Sequence, residues 1–120
     1  MKYKTFNYKN YGSCYFNVGN YLYNKQAMAI SIVNSKGENI IIATVNMADY
    51  LYAPNTATIK NYSEGTGMTE FLKRLGIVEE IYSRKPCNSI AIKNETIDYC
   101  LINVDKLKDY SNHYEYEWTI

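Results

Sequence analysis

Between Met28 and Met47 the chain carries the signal that most restricts its fold. Met28, Ile30 and Ile32 alternate with Ala29 and Ser31, the period-two pattern of a strand with one buried face. Asn34-Ser35-Lys36-Gly37 follows, and then a second β-rich run from Asn39 to Met47. Asn folds its side chain back onto the local backbone, and Gly accepts a left-handed φ. Two such runs around a short Gly-containing loop predict a hairpin. A lone hairpin is marginal in water, so the rest of the chain must cover its apolar face.

Further strands are expected on both sides. Cys14, Phe16 and Val18 alternate with Tyr15, Asn17 and Gly19, and Asn24-Lys25 reads as a turn. Leu51 to Pro54 reads as loop, because Pro54 lacks the amide hydrogen that a central strand needs. Thr56 to Lys60 and Ile77 to Tyr82 read as extended. A turn at Lys85-Pro86-Cys87-Asn88 leads to Ser89–Lys93, and Asn94-Glu95 turns into Thr96–Val104. That last run has apolar residues on both faces, which predicts an interior strand.

One main helix is predicted over residues 64–75. Met68, Phe71, Leu72 and Leu75 form a single apolar stripe, with Ser63 as the expected N-cap and Gly76 at the left-handed C-terminal position. Asp105 is expected to cap a short helical turn through Asp109. The segment from Tyr110 to Ile120 reads as an edge strand or a mobile tail. The expected architecture is one α+β domain over residues 1–120. An antiparallel sheet of five or six strands carries the helix on one face, its stripe against Ile30, Ile32, Ile40, Ile42 and Ile97.

Charge separates along the chain. The 13 basic and 12 acidic side chains nearly cancel, which excludes a global electrostatic drive onto nucleic acid or an anionic membrane. Up to residue 37 there are five lysines and no acid, whereas Glu95, Asp98, Asp105, Asp109, Glu115 and Glu117 crowd the last quarter. These blocks either attract each other within the fold or form two patches for partners. The 14 tyrosines beside 3 phenylalanines and 1 tryptophan have two readings. The abundance of Ile, Asn and Lys points to AT-rich codons, which also favour Tyr. Yet nine of the 14 lie before residue 24 or after residue 109, and Tyr is enriched at recognition surfaces.

No catalytic constellation is expected. His113 is the single histidine, and no flanking signature pairs it with Cys14, Cys87 or Cys100. The same four residues add up to a Cys3His zinc set, but zinc ligands come in close pairs and these are far apart. Whether they converge on a zinc stays open at this level; neither a metal nor a cofactor is expected. Ser63-Glu64-Gly65-Thr66-Gly67 lacks the Gly-Lys-Ser/Thr of a phosphate loop and carries an acid. Widely spaced cysteines, no basic-apolar leader and no long apolar run predict a cytoplasmic protein off the membrane.

A central segment carries a further pattern. Val45-Asn46-Met47, Pro54, Ala57-Thr58-Ile59-Lys60-Asn61-Tyr62-Ser63-Glu64-Gly65-Thr66-Gly67-Met68, Leu72 and Gly76-Ile77-Val78 resemble the DUF4313-type domain of phages, plasmids and integrated elements of low-GC bacteria. The resemblance implies no reaction and no catalytic residue. It implies a setting in which small proteins inhibit host defence, anti-CRISPR proteins that bind a Cas effector nuclease among them. The expected function is therefore a non-catalytic inhibitor that binds a bacterial defence protein. Its expected contact residues are Tyr110, Tyr114, Glu115, Tyr116, Glu117 and Trp118. Three alternatives stay open: a nucleic-acid-binding accessory using Lys2, Lys4, Tyr8 and Lys9, a sponge for a small nucleotide signal with a Tyr/Asn-lined pocket, and a self-associating structural protein such as a homodimer.

Overall fold

The hairpin forms where its turn chemistry dictates, in a computed structural model that describes residues 3–87 and 95–119. Asn34 Oδ1 accepts from the amides of Lys36 and Glu38 at 3.0 Å each, and Asn34 Nδ2 donates to Glu38 Oε1 at 2.8 Å. Gly37 supplies the left-handed residue at φ +82°. The flanking strands are β3 (Met28–Asn34) and β4 (Asn39–Ile42). Before them come β1 (Phe6–Asn7) and β2 (Ser13–Asn20). After them come β5 (Thr56–Asn61), α1 (Met68–Arg74), β6 (Val78–Pro86), β7 (Thr96–Ile102), α2 (Val104–Asp109) and β8 (Ser111–Tyr114). The expected strand at Ser89–Lys93, the turn residues Asn88 and Asn94, and Lys2 lie outside the described residues.

The α+β class holds, and the strands divide between two sheets. One runs β1-β2-β3-β4, with β8 parallel to β2; the other is antiparallel in the order β5-β7-β6. β7 is the interior strand that its two apolar faces predicted. On the edge of β2 away from β3, β1 pairs with Ser13 and Cys14, and β8 pairs with Phe16 to Val18. The sheets are stitched together just after β4. The Ala43 amide donates to Ile30, Lys60 donates to Ala43, and Val45 donates to Thr58. That crossing ends β4 at Ile42, well short of the expected Met47.

It also corrects the register of β4. A shift between Ile32 and Val33 turns Ile41 and Ala43 into the core, leaving Ile42 49 % exposed and Ile40 half-buried. Ile30 and Ile32 are fully buried as expected. Ile97 is not a partner of the helix stripe: β7 turns Asp98, Cys100 and Ile102 inward and Ile97 to its other face.

The helix begins later than expected. Ser63 does not cap it; Ser63 lies at φ +56° in a 3-10 turn, Ser63–Gly65. α1 starts after Gly67, at φ +88°, and Asn61 Oδ1 takes the orphan amides of Gly67 and Thr69 at 3.0 and 3.3 Å. The C-terminus follows the sequence. Gly76 takes φ +82°, with Ile77 N–H bonded to Leu72 and Gly76 N–H to Lys73, the two bonds of a Schellman motif. Met68 and Leu72 are buried, and Phe71 and Leu75 pack half-buried on the core. α2 is capped by Asn103, whose Oδ1 accepts from Lys106 N–H at 3.0 Å, rather than by Asp105. β6 continues through Lys85 and Pro86, where a turn was expected.

Candidate functional site

The C-terminal segment is an edge strand that continues as a clamp. After β8, Glu115 N–H still donates to Val18, and Glu117 exchanges two hydrogen bonds with the Asn20 side chain at 2.8 and 3.0 Å. Tyr116 O–H donates to the Gln26 carbonyl at 2.8 Å, and Trp118 Nε1–H to the Tyr52 carbonyl at 2.8 Å. Gln26 Nε2–H donates to the Thr119 carbonyl at 2.7 Å. Alternation explains the arrangement: Tyr114, Tyr116 and Trp118 turn inward while His113, Glu115 and Glu117 face water. Burial pushes the Tyr114 phenol up and that of Tyr116 up to about 12. Tyr110 sits edge-on against Phe6, ring centroids 5.9 Å apart. Of the six expected contact residues, the four aromatics are thus half-buried in packing, and Glu115 and Glu117 are presented to solvent. Glu115 pairs there with His113.

The clamp draws three segments together at one end of the molecule: the loop between β2 and β3, the loop around residues 47–53, and the C-terminal segment. Asn24 Nδ2 reaches the Met47 carbonyl at 3.4 Å, joining the two loops. At this end stand Leu22, Tyr23 and Leu51, exposed by 75 %, 85 % and 92 %, the three most exposed large hydrophobic residues described. Exposed Asp49 and Glu117 belong to the same segments, with Lys25. Asn20, Tyr21, Leu22, Lys25, Glu117 and Thr119 line a shallow recess there. Sequence reasoning missed Leu22 and Leu51; the available signal was a large aliphatic inside the expected loop at Leu51 and another just before the expected turn at Asn24-Lys25.

Of the expected basic-aromatic residues, the described ones, Lys4, Tyr8 and Lys9, occupy the opposite end of β2. Tyr8 is buried, stacked with Tyr11 and edge-on to Phe71, with Lys9 Nζ 5.4 Å from its ring centroid. Lys4 is exposed, and its amide donates to Asp109 at 2.7 Å. Tyr8 and Lys9 therefore share a site, a cleft against α1, that Lys4 does not line.

A third group of polar side chains is internal. Asp98, fully buried, accepts from Thr69 Oγ1 at 2.6 Å and from Arg84 Nε and Nη2 at 2.9 and 3.0 Å. Burial alone would raise its pKa, but the hydrogen bonds from Arg84, Thr69 and Thr96 together hold it below the usual carboxylate value. Cys100, next but one on β7, is also fully buried; burial first and the neighbouring Asp98 charge second push its thiol up to about 12. Such a thiol is protonated and inert at neutral pH. Cys14 is buried and raised by desolvation, and Cys87 is half-buried. Among the described residues no three His, Cys, Asp or Glu side chains gather as a metal-binding group.

Compared with protein-family models, curated proteins and solved structures, the chain matches none of them. No described helix is long and apolar enough to cross a membrane.

Proposed function

We propose that this chain is a protein-binding inhibitor from a phage or mobile element, docking on a bacterial defence protein through its loop-and-tail end. The observation that carries the reading is Leu22, Tyr23 and Leu51 standing in water on the joined segments that also expose Asp49, Glu117 and Lys25. Exposed side chains of that size cost solubility unless a partner covers them, and an aromatic among aliphatics suits a hot spot. Asp49 and Glu117, on an end that also carries Lys25 and has Lys85 over the Tyr50 ring, offer carboxylates to a basic partner surface, and such a surface on a defence nuclease is its nucleic-acid channel. A Cas effector nuclease is the partner class that fits both this chemistry and the mobile-element setting drawn from the DUF4313-type resemblance. Inhibition is then competition: the apolar, carboxylate-bearing tip fills a surface that nucleic acid needs.

The test is binding of the purified chain to purified Cas effectors, with and without guide RNA. The expected result is a complex that added target nucleic acid displaces. Leu51→Asp with Tyr23→Ala is expected to weaken it at least tenfold, about 1.4 kcal/mol, without moving the thermal midpoint. Absence of any complex, together with unchanged interference against phage, overturns the reading. Binding that survives the double substitution moves the contact away from this end.

A further inference from the structure

The cleft at the other end of β2 has the anatomy of a small-molecule site. Tyr8 and Met68 lie buried in its floor, with Phe71 and Leu75 half-buried beside them. Asn7, Lys9, Thr66 and Arg74 stand exposed around them. The recess encloses about 530 Å3, within the roughly 300–1,000 Å3 of small-ligand sites, which pair an apolar floor with a few polar groups.

Its charge has one sign. Among the described residues, Lys9 and Arg74 are the only ionic side chains lining it, and neither forms an ion pair there. Lys9 Nζ rests on the Glu64 carbonyl at 3.4 Å and over the Tyr8 ring. Of the acids on the neighbouring elements, Glu64 pairs with Lys60, and Glu70 lines an adjoining recess with Arg84 that shares Thr66 and Gly67 with the cleft. Two cations without carboxylate partners beside an apolar floor call for an anion with a flat apolar body.

The backbone adds a separate indication. Lys9 lies at φ +48°, where a glycine would sit without strain and a side-chain-bearing residue costs roughly 1–2 kcal/mol. The turn around it is closed by bonds from Tyr8 N–H to Gly12 and from Tyr11 N–H to Tyr8. Neither bond needs a lysine side chain, and the residue held at this φ carries its ammonium to the cleft.

We propose that this cleft binds a nucleoside phosphate. Lys9 and Arg74 take the phosphate, the guanidinium as a fork and the ammonium as a point charge. The Phe71 and Tyr8 floor takes the base. Asn7, with one amide donor pair and one acceptor, reads the polar edge of that base. About 23 Å of β2 separates this site from the docking end, taking about 3.3 Å for each step from Ser13 to Asn20. The proposal is therefore independent of the inhibitor reading.

Isothermal titration with AMP, GMP, CMP and UMP tests it, with inorganic phosphate, the free nucleosides and a single-stranded decanucleotide as comparators. The expected result is that at least one monophosphate binds more tightly than both its nucleoside and inorganic phosphate. Lys9→Gly and Arg74→Ala are each expected to weaken that binding about tenfold or more. Lys9→Gly removes the charge and relieves the strained φ, so the thermal midpoint should not fall and loss of binding cannot be assigned to unfolding. Leu51→Asp should leave nucleotide affinity unchanged. No monophosphate binding at millimolar concentration, or equal binding by the two cleft variants, overturns the proposal. So does binding confined to the decanucleotide, which would make the cleft part of a nucleic-acid track.

Discussion

Replacing Asp98 with Asn removes one charge from the most deeply buried ionic group described, with almost no change of shape. In the native protein the carboxylate accepts from Thr69 and takes two bonds from Arg84, whose own side chain is 47 % exposed. An asparagine keeps one acceptor for Thr69, but its amide then points donors at the guanidinium. Breaking a fully buried pair costs about 3–5 kcal/mol, and exposure of the Arg84 head discounts that to about 2–3 kcal/mol. Urea unfolding at pH 7 should show that loss as a lower midpoint at constant slope, together with a fall of about 10 °C in thermal midpoint. The pH dependence follows from the depressed native pKa of Asp98. Above the unfolded value, about 3.9, the wild-type advantage is complete. As pH falls through the native value the carboxylate protonates, and the gap between wild type and Asp98→Asn closes. Equal stability at pH 7 would refute the claim that this pair stabilises the fold. A gap that persists in strong acid would assign the loss to packing instead of charge.

Two further outcomes follow from the same geometry. A Cβ at Gly65 would lie 2.3 Å from the Lys60 carbonyl oxygen, a backbone atom that cannot swing aside. Gly65→Ala should therefore cost at least about 2 kcal/mol in urea unfolding, and a change under 0.5 kcal/mol would show that the turn relaxes freely. Truncation after Tyr110 removes β8 and the bonds from Tyr116 and Trp118, baring the β2 edge. Its thermal midpoint should fall by well over 5 °C; an unchanged midpoint would return the segment to a mobile tail.

What could be read from the sequence were the features whose partners lie next to them in the chain. Asn34 closes its own turn, and Gly76 closes its own helix end, so both were visible locally. The start of α1 was not, because Asn61 caps it from six residues before Gly67 while Ser63 sits in the expected place without the function. Ile40-Ile41-Ile42 has no alternation, so its register was settled by the crossing of residues 43–45 onto β5. Asp98 could not be placed inward without Arg84 and Thr69, which approach from other elements. The tail is a different case. Tyr114-Glu115-Tyr116-Glu117-Trp118 already shows a period of two, and that alternation outweighed composition. The tyrosines follow the same lesson. Only Tyr11, Tyr23 and Tyr82 of the 14 are exposed, so most of them pack the fold rather than decorate it.

Lys9 and Glu117 are parted in space by one topological fact, although Lys25 of the basic front shares a recess with Glu117. β8 runs parallel to β2, so the chain beyond it travels away from the N-terminal segment toward Asn20. Lys9 stays at the start of β2 beside the apolar floor of the cleft, and Glu117 is carried to the far end beside Leu22. Lys4 and Asp109 lie side by side through their backbones, yet no ion pair among the described residues joins the basic front to the acidic tail. An antiparallel β8 would have sent the chain beyond it, with Glu115 and Glu117, back toward the start of β2. The parallel edge leaves Lys9 and Arg74 at one end of β2 and the exposed Leu22 with Glu117 at the other. Substitutions at Lys9 and at Leu51 therefore test the two proposals separately.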